Sequence, residues 1–449
     1  METAKKKKLL RWSLLPLALI LLLAGAVIVI NAFDEPLNAQ AAAMGEPHES
    51  RVPAAQNGYL AVIAMGVGDG ADGMAYARAW LAEARAAARE NRTEKKPEAT
   101  HAERPPLCDA VQTSCLAAVQ DKADSINAQL DTYKEDLARY EKLIAYPAYE
   151  EILDYRFNLE SQFPRYAAMG TAQRAWLTRA ALAVQAGRID DALAAVERDI
   201  VFQRVMIKGS RTLVGRMVAA ANYTRDLAFV ADLLQTSLAD LKPYAPRLTA
   251  MFKPIESAAL SMDVLIDTEF GLIKQALMQQ TVAHSAGAFY EVISMRLFYK
   301  PHATINAAHA AYMHTREVLR KPPAALLRER SAEDAARDAM KFQDYVVNPI
   351  GKILLRVAMP SFSSYALRLH DLDAFNRLLG LGAEIIAADV NTEDIADFVA
   401  KSDARFFDPY TGKPMAWDAA SRQLSFKASA ALADRKMFNL ENGRVFLRM

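Results

Sequence analysis

The chain opens on its most one-sided pattern. Lys5 to Lys8 and Arg11 precede an almost unbroken apolar run from Trp12 to Ile30, 19 residues long. A helix needs roughly 20 such residues to cross the hydrocarbon core of a bilayer. Pro16 lies near the start of the run, where a membrane helix tolerates it, and the first Asp is Asp34. Basic residues favour the cytoplasmic side. The pattern therefore predicts a cytoplasmic tail over 1–11, a transmembrane anchor over 12–33 and export of residues 34–449. A cleaved signal peptide is the rival reading, with Ala39-Gln40-Ala41 as a small-x-small site. The apolar run is longer than the roughly 7–15 residues of a signal core, and that site lies about ten residues beyond it. No second apolar stretch of this length follows.

Residues 34–57 read as a linker, with Pro36, Pro47, Pro53 and an Ala run without helical period. Gly58 to Met65 is a short apolar run, either strand or buried helix. A Gly-rich turn leads to a helix from about Gly73 to Arg89. Residues 91–106 are charged and carry Pro97, Pro105 and Pro106, which makes them a surface loop. From Gln112 to Ile144 the pattern is helical. Ile126, Leu130, Tyr133, Leu137, Tyr140 and Ile144 alternate steps of four and three, the a/d seam of a heptad. One helix lying along a bundle satisfies this seam, and so does an intermolecular coiled coil. Pro147 stops it.

Residues 171–198 predict a helical hairpin: Thr171 caps a helix to Ala186, Gly187 turns the chain and Ile189 starts the return. Trp176, Ala180, Gly187, Ala192 and Val196 are spaced in a way that resembles one tetratricopeptide repeat. Asp199 and Arg204 lie near the place where that repeat carries Pro, and no second copy follows at about 34 residues. Further helices are predicted at 189–208, 211–238, 246–280, 286–298, 304–321, 331–358, 364–380 and 392–401. Towards the end the pattern shifts to turns and short strands. Asp408-Pro409-Tyr410-Thr411-Gly412 is a turn, Met415–Trp417 and Leu424–Lys427 are strands, and Asn442-Gly443 marks a hairpin. The predicted fold is mainly α. It has a single N-terminal transmembrane helix, a helical-bundle or helical-hairpin exported body over 58–402 and a small antiparallel β element over 403–449.

Composition agrees with helices, since only 18 of 449 residues are Gly, against a usual share of about 7%. The net charge is +1, and residues 1–11 contribute +4 of it, so the rest of the chain sums to −3. That excludes a strongly basic nucleic-acid binder. The two cysteines, Cys108 and Cys115, both fall in the exported part, where a disulfide between them is permitted.

Candidate chemistry is sparse. Gly68-Asp69-Gly70-Ala71-Asp72-Gly73 matches a dinucleotide-loop spacing, but two Asp in the loop repel phosphate, and Asp72 suits a helix N-terminus. Asp69 and Asp72 lack the spacing and distal Glu of a calcium loop. Glu256, Asp263 and Asp267 fall within about 40° on one face of a continuous helix, with Glu269 on another. Arg204, Lys208 and Arg211 make a basic face earlier. The two faces form an ion network, or the carboxylates line a cleft as acid/base groups or metal ligands. His302, His309 and His314 do not converge on a metal-ligand pattern. Ser361, Ser363 and Ser364 near His370 and Asp371 supply the residue types of a triad without its geometry. No cofactor and no metal is expected.

The segment Asp408-Pro409-Tyr410-Thr411-Gly412-Lys413-Pro414 resembles the D-P-[FY]-[ST]-G-x-P tail motif of uncharacterised, membrane-anchored bacterial envelope proteins. Lys300-Pro301-His302-Ala303-Thr304-Ile305-Asn306 is similar to a second piece of them. The resemblance implies an exported bacterial protein and brings no activity with it. The expectation is a single-pass inner-membrane protein with most of its chain in the periplasm. Its role is to bind an envelope partner, or itself through the 126–144 seam, without catalysis. The alternative is an exported enzyme or ligand-binding protein with an acidic inter-helix cleft.

Overall fold

The structure is a computed structural model that describes residues 16–449 except 17, 24, 96–103, 159, 237, 284–288, 337–345, 430–431, 433–436 and 438. Its main helices are α1 (Tyr59–Ala64), α2 (Gly73–Glu90), α3 (Ala123–Asp131), α4 (Lys134–Leu143), α5 (Tyr166–Gln185), α6 (Ile189–Gly209) and α7 (Leu213–Thr236). There follow α8 (Ala245–Met251), α9 (Asp263–Ala283), α10 (Phe289–Phe298), α11 (Pro301–Leu319), α12 (Pro323–Ala336), α13 (Pro349–Ala358) and α14 (Phe362–Ala387). Four strands close the chain: β1 (Ala416–Asp418), β2 (Gln423–Lys427), β3 (Leu440–Glu441) and β4 (Arg444–Arg448). The mainly helical body with a small C-terminal antiparallel sheet matches the sequence pattern. The division into units does not follow the chain. One unit gathers Met1–Glu46, Phe270–Thr315 and Ser331–Pro360, and the other gathers Pro47–Glu269, Arg316–Arg330 and Ser361–Met449.

In the larger unit α7 and α14 are the central helices. Leu227 to Leu234 is buried without a break, so α7 is covered on every side there. It packs along α6 and along α14, and α8 lies on α14. The α5–α6 hairpin turns at Gly187, whose φ of +73° is open to glycine without strain. Trp176 is fully buried, and its indole N–H donates to the Ala195 carbonyl at 3.0 Å. The sheet runs β1-β2-β4-β3, all antiparallel, with Asn442 and Gly443 at positive φ in the last hairpin. Leu424, Phe426, Val445 and Leu447 are buried on it. The sheet packs on α14, where Gly382 faces Leu447. The Asp408–Lys413 turn is a latch. Asp408 accepts from the Tyr410 N–H at 2.8 Å, and the Tyr410 hydroxyl reaches the Leu367 carbonyl at 3.0 Å and Asp371 at 2.7 Å on α14.

Three predicted elements are corrected, and two bounds move: α5 starts at Tyr166, so Thr171 lies inside it and not at its cap, and the helix expected over 331–358 is interrupted at 346–348, before α13. The helix expected over Gln112–Ile144 is broken at Gln120–Lys122 and at Thr132–Tyr133 into a short helix (Cys115–Val119), α3 and α4. The Thr132 hydroxyl bonds back to the Gln129 carbonyl, and the Tyr133 hydroxyl donates to the Pro105 carbonyl. The first bond is local and the second ties Tyr133 to a separate loop, and together they hold the chain out of a continuous helix. Of the seam, Leu130, Tyr133, Leu137, Tyr140 and Ile144 are buried and Ile126 is half-buried. The chain itself covers them: α4 packs on α5, with the Tyr140 and Trp176 rings 6.0 Å apart. The face is therefore occupied within the chain, which removes it as the surface of an intermolecular coil. The helix expected over 246–280 is also divided, into α8, a turn at Ser257–Leu260 and α9, with Pro254 in the gap. Cys108 and Cys115 are joined, with Cα atoms 5.6 Å apart. Asp232 of α7 supports that loop, accepting from the Ser114 hydroxyl at 2.8 Å and the Leu116 N–H at 3.1 Å.

The third correction concerns the linker over 34–57. Its first part is bonded throughout to the smaller unit. Asp34 accepts from the His302 N–H at 2.9 Å and the Ala303 N–H at 3.1 Å, at the N-terminus of α11 where the helix dipole favours an anion. The Asn306 side chain donates to Glu35 and to the Pro36 carbonyl. The buried Lys274 ammonium donates to the carbonyls of Ala42 and Met44 and to Glu46, each at 2.7 Å. Gly271 lies against Gly45, with no room for a Cβ. The segment 300–306 singled out in the sequence is thus the seat of the linker.

Among the described residues no helix is long and apolar enough to cross a membrane. The predicted anchor over 12–33 is described only in part, since 12–15, 17 and 24 lie outside the described residues. Residues 18–23 and 25–30 are helical, and Leu19 to Leu23 and Ile28 to Ile30 are exposed.

Close approach sets the tolerance of the α6–α7 junction. Glu151 is buried and accepts from the Tyr166 hydroxyl (2.9 Å), the Arg211 and Thr212 N–H groups (2.8 and 2.6 Å) and the Thr212 hydroxyl (2.9 Å). A Cβ on Gly215 would fall 2.0 Å from Glu151 Oε1, and one on Gly209 would fall 1.7 Å from the Tyr149 carbonyl oxygen. Gly209→Ala is expected to cost about 3 kcal/mol through overpacking against backbone. Urea unfolding followed by circular dichroism checks this, and an unchanged midpoint would contradict the packing described.

Candidate functional site

A cleft of about 500 Å³ opens in the larger unit between the start of α9, the end of α11 and α14. Leu260, Met262, Ile266, Leu319 and Pro323 make its apolar floor. Charged groups ring it. The Arg320 guanidinium meets Asp263 in a fork, with Nε and Nη2 each 3.1 Å from a carboxylate oxygen. Arg316 bonds Asp267 and reaches Asp263 at 3.7 Å. On the α14 wall, Arg377 Nε donates to Asp373 at 2.7 Å, and the other Asp373 oxygen accepts from the Ile255 N–H at 2.8 Å. Burial pushes the Asp373 carboxyl pKa up, and Arg377 opposes the shift. His370 lies one turn before it. Burial, then the positive charge of Arg377, lowers the imidazole pKa to about 4, so this ring is neutral at physiological pH.

The three carboxylates singled out in the sequence do not converge. Glu256 lies outside α9, at the surface, paired with Lys208 at 2.9 Å. Asp263 and Asp267 sit one turn apart on α9 and are both held by arginines. The predicted acidic cleft is thus lined by Arg316, Arg320, Lys321 and Arg377 against Asp263 and Asp373. Glu269 points elsewhere and accepts from the Leu213 N–H at 2.8 Å. Of the basic face, only Lys208 meets the acidic one. Arg204 is bound to the Tyr223 hydroxyl and Asn376, and Arg211 pairs with Glu150.

The other candidate motifs are used internally. Asp69 pairs with Arg104, Asp72 caps α2 through the Met74 and Ala75 N–H groups, and the Gly70 N–H donates to Glu135. The loop has no free cradle for a phosphate. Asp371 accepts from the Tyr410 hydroxyl, the Ser429 N–H and the Ser429 hydroxyl, so its bonds fasten the C-terminal segment to α14. Ser361 and Ser364 face each other at 3.0 Å. Among the described residues no group of three or more His, Cys, Asp or Glu is placed to hold a metal ion.

One cluster escapes the sequence reading. Asp199 on α6 and Asp226 on α7 are fully buried and share the side-chain amide of Gln173. Asp199 also accepts from the Tyr140 hydroxyl (2.8 Å), Gln203 (2.8 Å) and Gln173 (3.3 Å), and Gln173 donates to Asp226 at 3.0 Å. Burial raises both carboxyl pKa values, and the neighbouring Asp199 charge raises that of Asp226 further. Burial and the neighbouring carboxylate both favour the neutral form of Asp226, so a proton shared by the pair relieves the repulsion. Polar residues at i, i+4 on otherwise apolar faces, Asp199 with Gln203 and Asn222 with Asp226, are the signal that marks it.

The shared proton makes a signed prediction. A carboxyl whose folded pKa is raised contributes stability that is full below its unfolded pKa and is lost as pH rises through the folded one. Between the two pKa values the fall is about 1.4 kcal/mol per pH unit, and above the folded one it levels off. Asp226→Asn keeps an N–H donor for Asp199 and removes the titration. The variant is expected to show a flatter fall in urea midpoint on the alkaline side than the parent. Parallel curves for the two proteins would mean that the pair carries no shared proton. No known protein family, curated protein or solved structure matches this chain.

Proposed function

We propose that this chain is a membrane-anchored, exported protein of the bacterial envelope that binds a partner polypeptide and performs no chemistry of its own. The cleft carries the reading. An apolar floor takes aliphatic side chains, and Arg320, 61% exposed, stands at its edge as a charged contact for a carboxylate. Anchoring rests on the basic-then-apolar N-terminus and on the exposed apolar side chains between Leu19 and Ile30. The Cys108–Cys115 bond suits an oxidising compartment. Self-association no longer draws on the 126–144 seam, because that seam is covered by α5. Tyr410, in the segment with the envelope-protein resemblance, holds the C-terminal turn on α14, next to the cleft residue Pro409.

A second reading, an exported enzyme or small-ligand binder using the same cleft, draws on one observation. His370 is a neutral imidazole in the cleft wall, beside a buried Asp373. It would act as a hydrogen-bond acceptor or weak base.

A photo-crosslinking residue placed at the exposed Ser257 of the full-length protein separates these in cells. A single envelope-protein adduct is expected, reduced about tenfold by Arg320→Glu if a charge-assisted contact worth roughly 1.5 kcal/mol is lost. No adduct at Ser257, combined with loss of phenotype in His370→Gln at unchanged Tm, would replace partner binding with the small-ligand reading.

A further inference from the structure

We infer that α13 is a second membrane contact, an amphipathic helix lying on an anionic phospholipid surface beside the anchor. The inference rests on the anchoring reading above and adds a lipid-binding face to it. Ile350, Ile353, Leu354 and Val357 fall at i, i+3, i+4 and i+7, which is one helix face. Among the described residues that face is left open: Ile353 is 47% exposed, Val357 is 83% exposed, and Ile350 and Leu354 are half-buried. The opposite side is fixed. Gly351 sits against Thr304 with no room for a Cβ, so the helix cannot roll to hide its apolar stripe. Lys352 and Arg356 flank the stripe one turn apart, and α13 holds no acidic residue.

What covers the stripe follows from where the helix begins. Its N-cap, Asn348, donates its backbone N–H to Asn31 Oδ1 at 2.9 Å, and the Asn31 side-chain amide donates to the Val346 carbonyl at 2.7 Å and the Val27 carbonyl at 2.8 Å. Asn31 is the first polar residue after the Trp12–Ile30 run. The end of the apolar run and the start of α13 are therefore one hydrogen bond apart. If Ile30 marks the edge of the hydrocarbon, Asn348 is at headgroup level and α13 starts there. Asn348 is held on its other side by the Lys300 N–H at 2.9 Å and Thr304 Oγ1 at 2.9 Å, which fixes that level. Ile28, Val29, Ile30 and Phe33 on the side of Asn31, and Val347, Ile353 and Val357 on the side of Asn348, are all exposed. A basic flank beside an apolar stripe complements anionic headgroups over acyl chains.

The test uses full-length protein in vesicles of phosphatidylcholine and phosphatidylglycerol. The native cysteines are bonded, so Val357→Cys and, separately, Leu22→Cys each give a sole free thiol for an environment-sensitive fluorophore. Both probes are expected to be quenched by brominated lipid and shielded from aqueous iodide, with quenching at Val357 about threefold weaker when phosphatidylglycerol is omitted, the electrostatic part of interfacial binding. Arg356→Gln is expected to weaken it in the same direction. Quenching at Leu22 with none at Val357 would overturn the α13 contact while leaving the anchor standing. Absence of quenching at both positions would overturn the anchor and the contact together. A crosslink from Val357 to a protein in cells, with no lipid quenching in vesicles, would assign the stripe to a protein partner and end the lipid proposal.

Discussion

Taking a carboxylate out of water costs several kcal/mol unless donors from the fold replace the lost hydration. The larger unit is organised around that requirement. Glu151 collects four donors from the α5 start and the turn into α7, Asp199 and Asp226 knit α4, α5, α6 and α7 together, and Asp371 fastens the C-terminal latch to α14. Each of these acids ties elements that are far apart in the sequence. Apolar packing between Ala- and Leu-rich helices is permissive about rotation and register. A buried acid with several named donors is not, because one misplaced partner leaves a charge or a lone pair unsatisfied. These bonds select one arrangement of helices from the several that the apolar faces would accept.

The same logic explains what could be read from the chain and what could not. The α5–α6 hairpin was legible because its signals are local: Gly187 for the turn and small residues such as Ala180 and Ala192 where the helices meet. So was the Asn442-Gly443 hairpin, because the dipeptide itself favours positive φ. The break between α3 and α4 was not, because it depends on the Pro105 carbonyl reaching Tyr133 from a distant loop. The heptad rule sees only that Tyr133 is apolar. The division of 246–280 moved Glu256 off the helix that carries Asp263, and the predicted face of three carboxylates dissolved with it. Asp199 and Asp226 were invisible for a related reason. A single Asp on a helix looks solvated until its partner is known, and their partners lie on other helices.

The cleft shows how compensation changes the meaning of charge. Asp263 and Asp267 suggest an acidic site when read alone. Once Arg316 and Arg320 are set against them, the carboxylates become brackets that hold guanidinium groups at the rim. The exposed charge at the rim is then the cation and not the anion that positions it. His370 belongs to the same pattern: burial first, and then the charge of Arg377, which also steadies Asp373, keep the neighbouring imidazole unprotonated.

The bonded linker has a consequence for how this protein meets anything else. A flexible segment of 24 residues would let its cargo wander over a sphere of roughly 25–30 Å. Here Asp34, Asn306 and Lys274 take that freedom away within the first dozen residues after the apolar run. Residues 34–46 are therefore packed structure and not a spacer. Where the apolar run ends, the smaller unit has already begun, and whatever holds that run also holds the contacts of Asp34 with α11 and of Lys274 with the Ala42 and Met44 carbonyls.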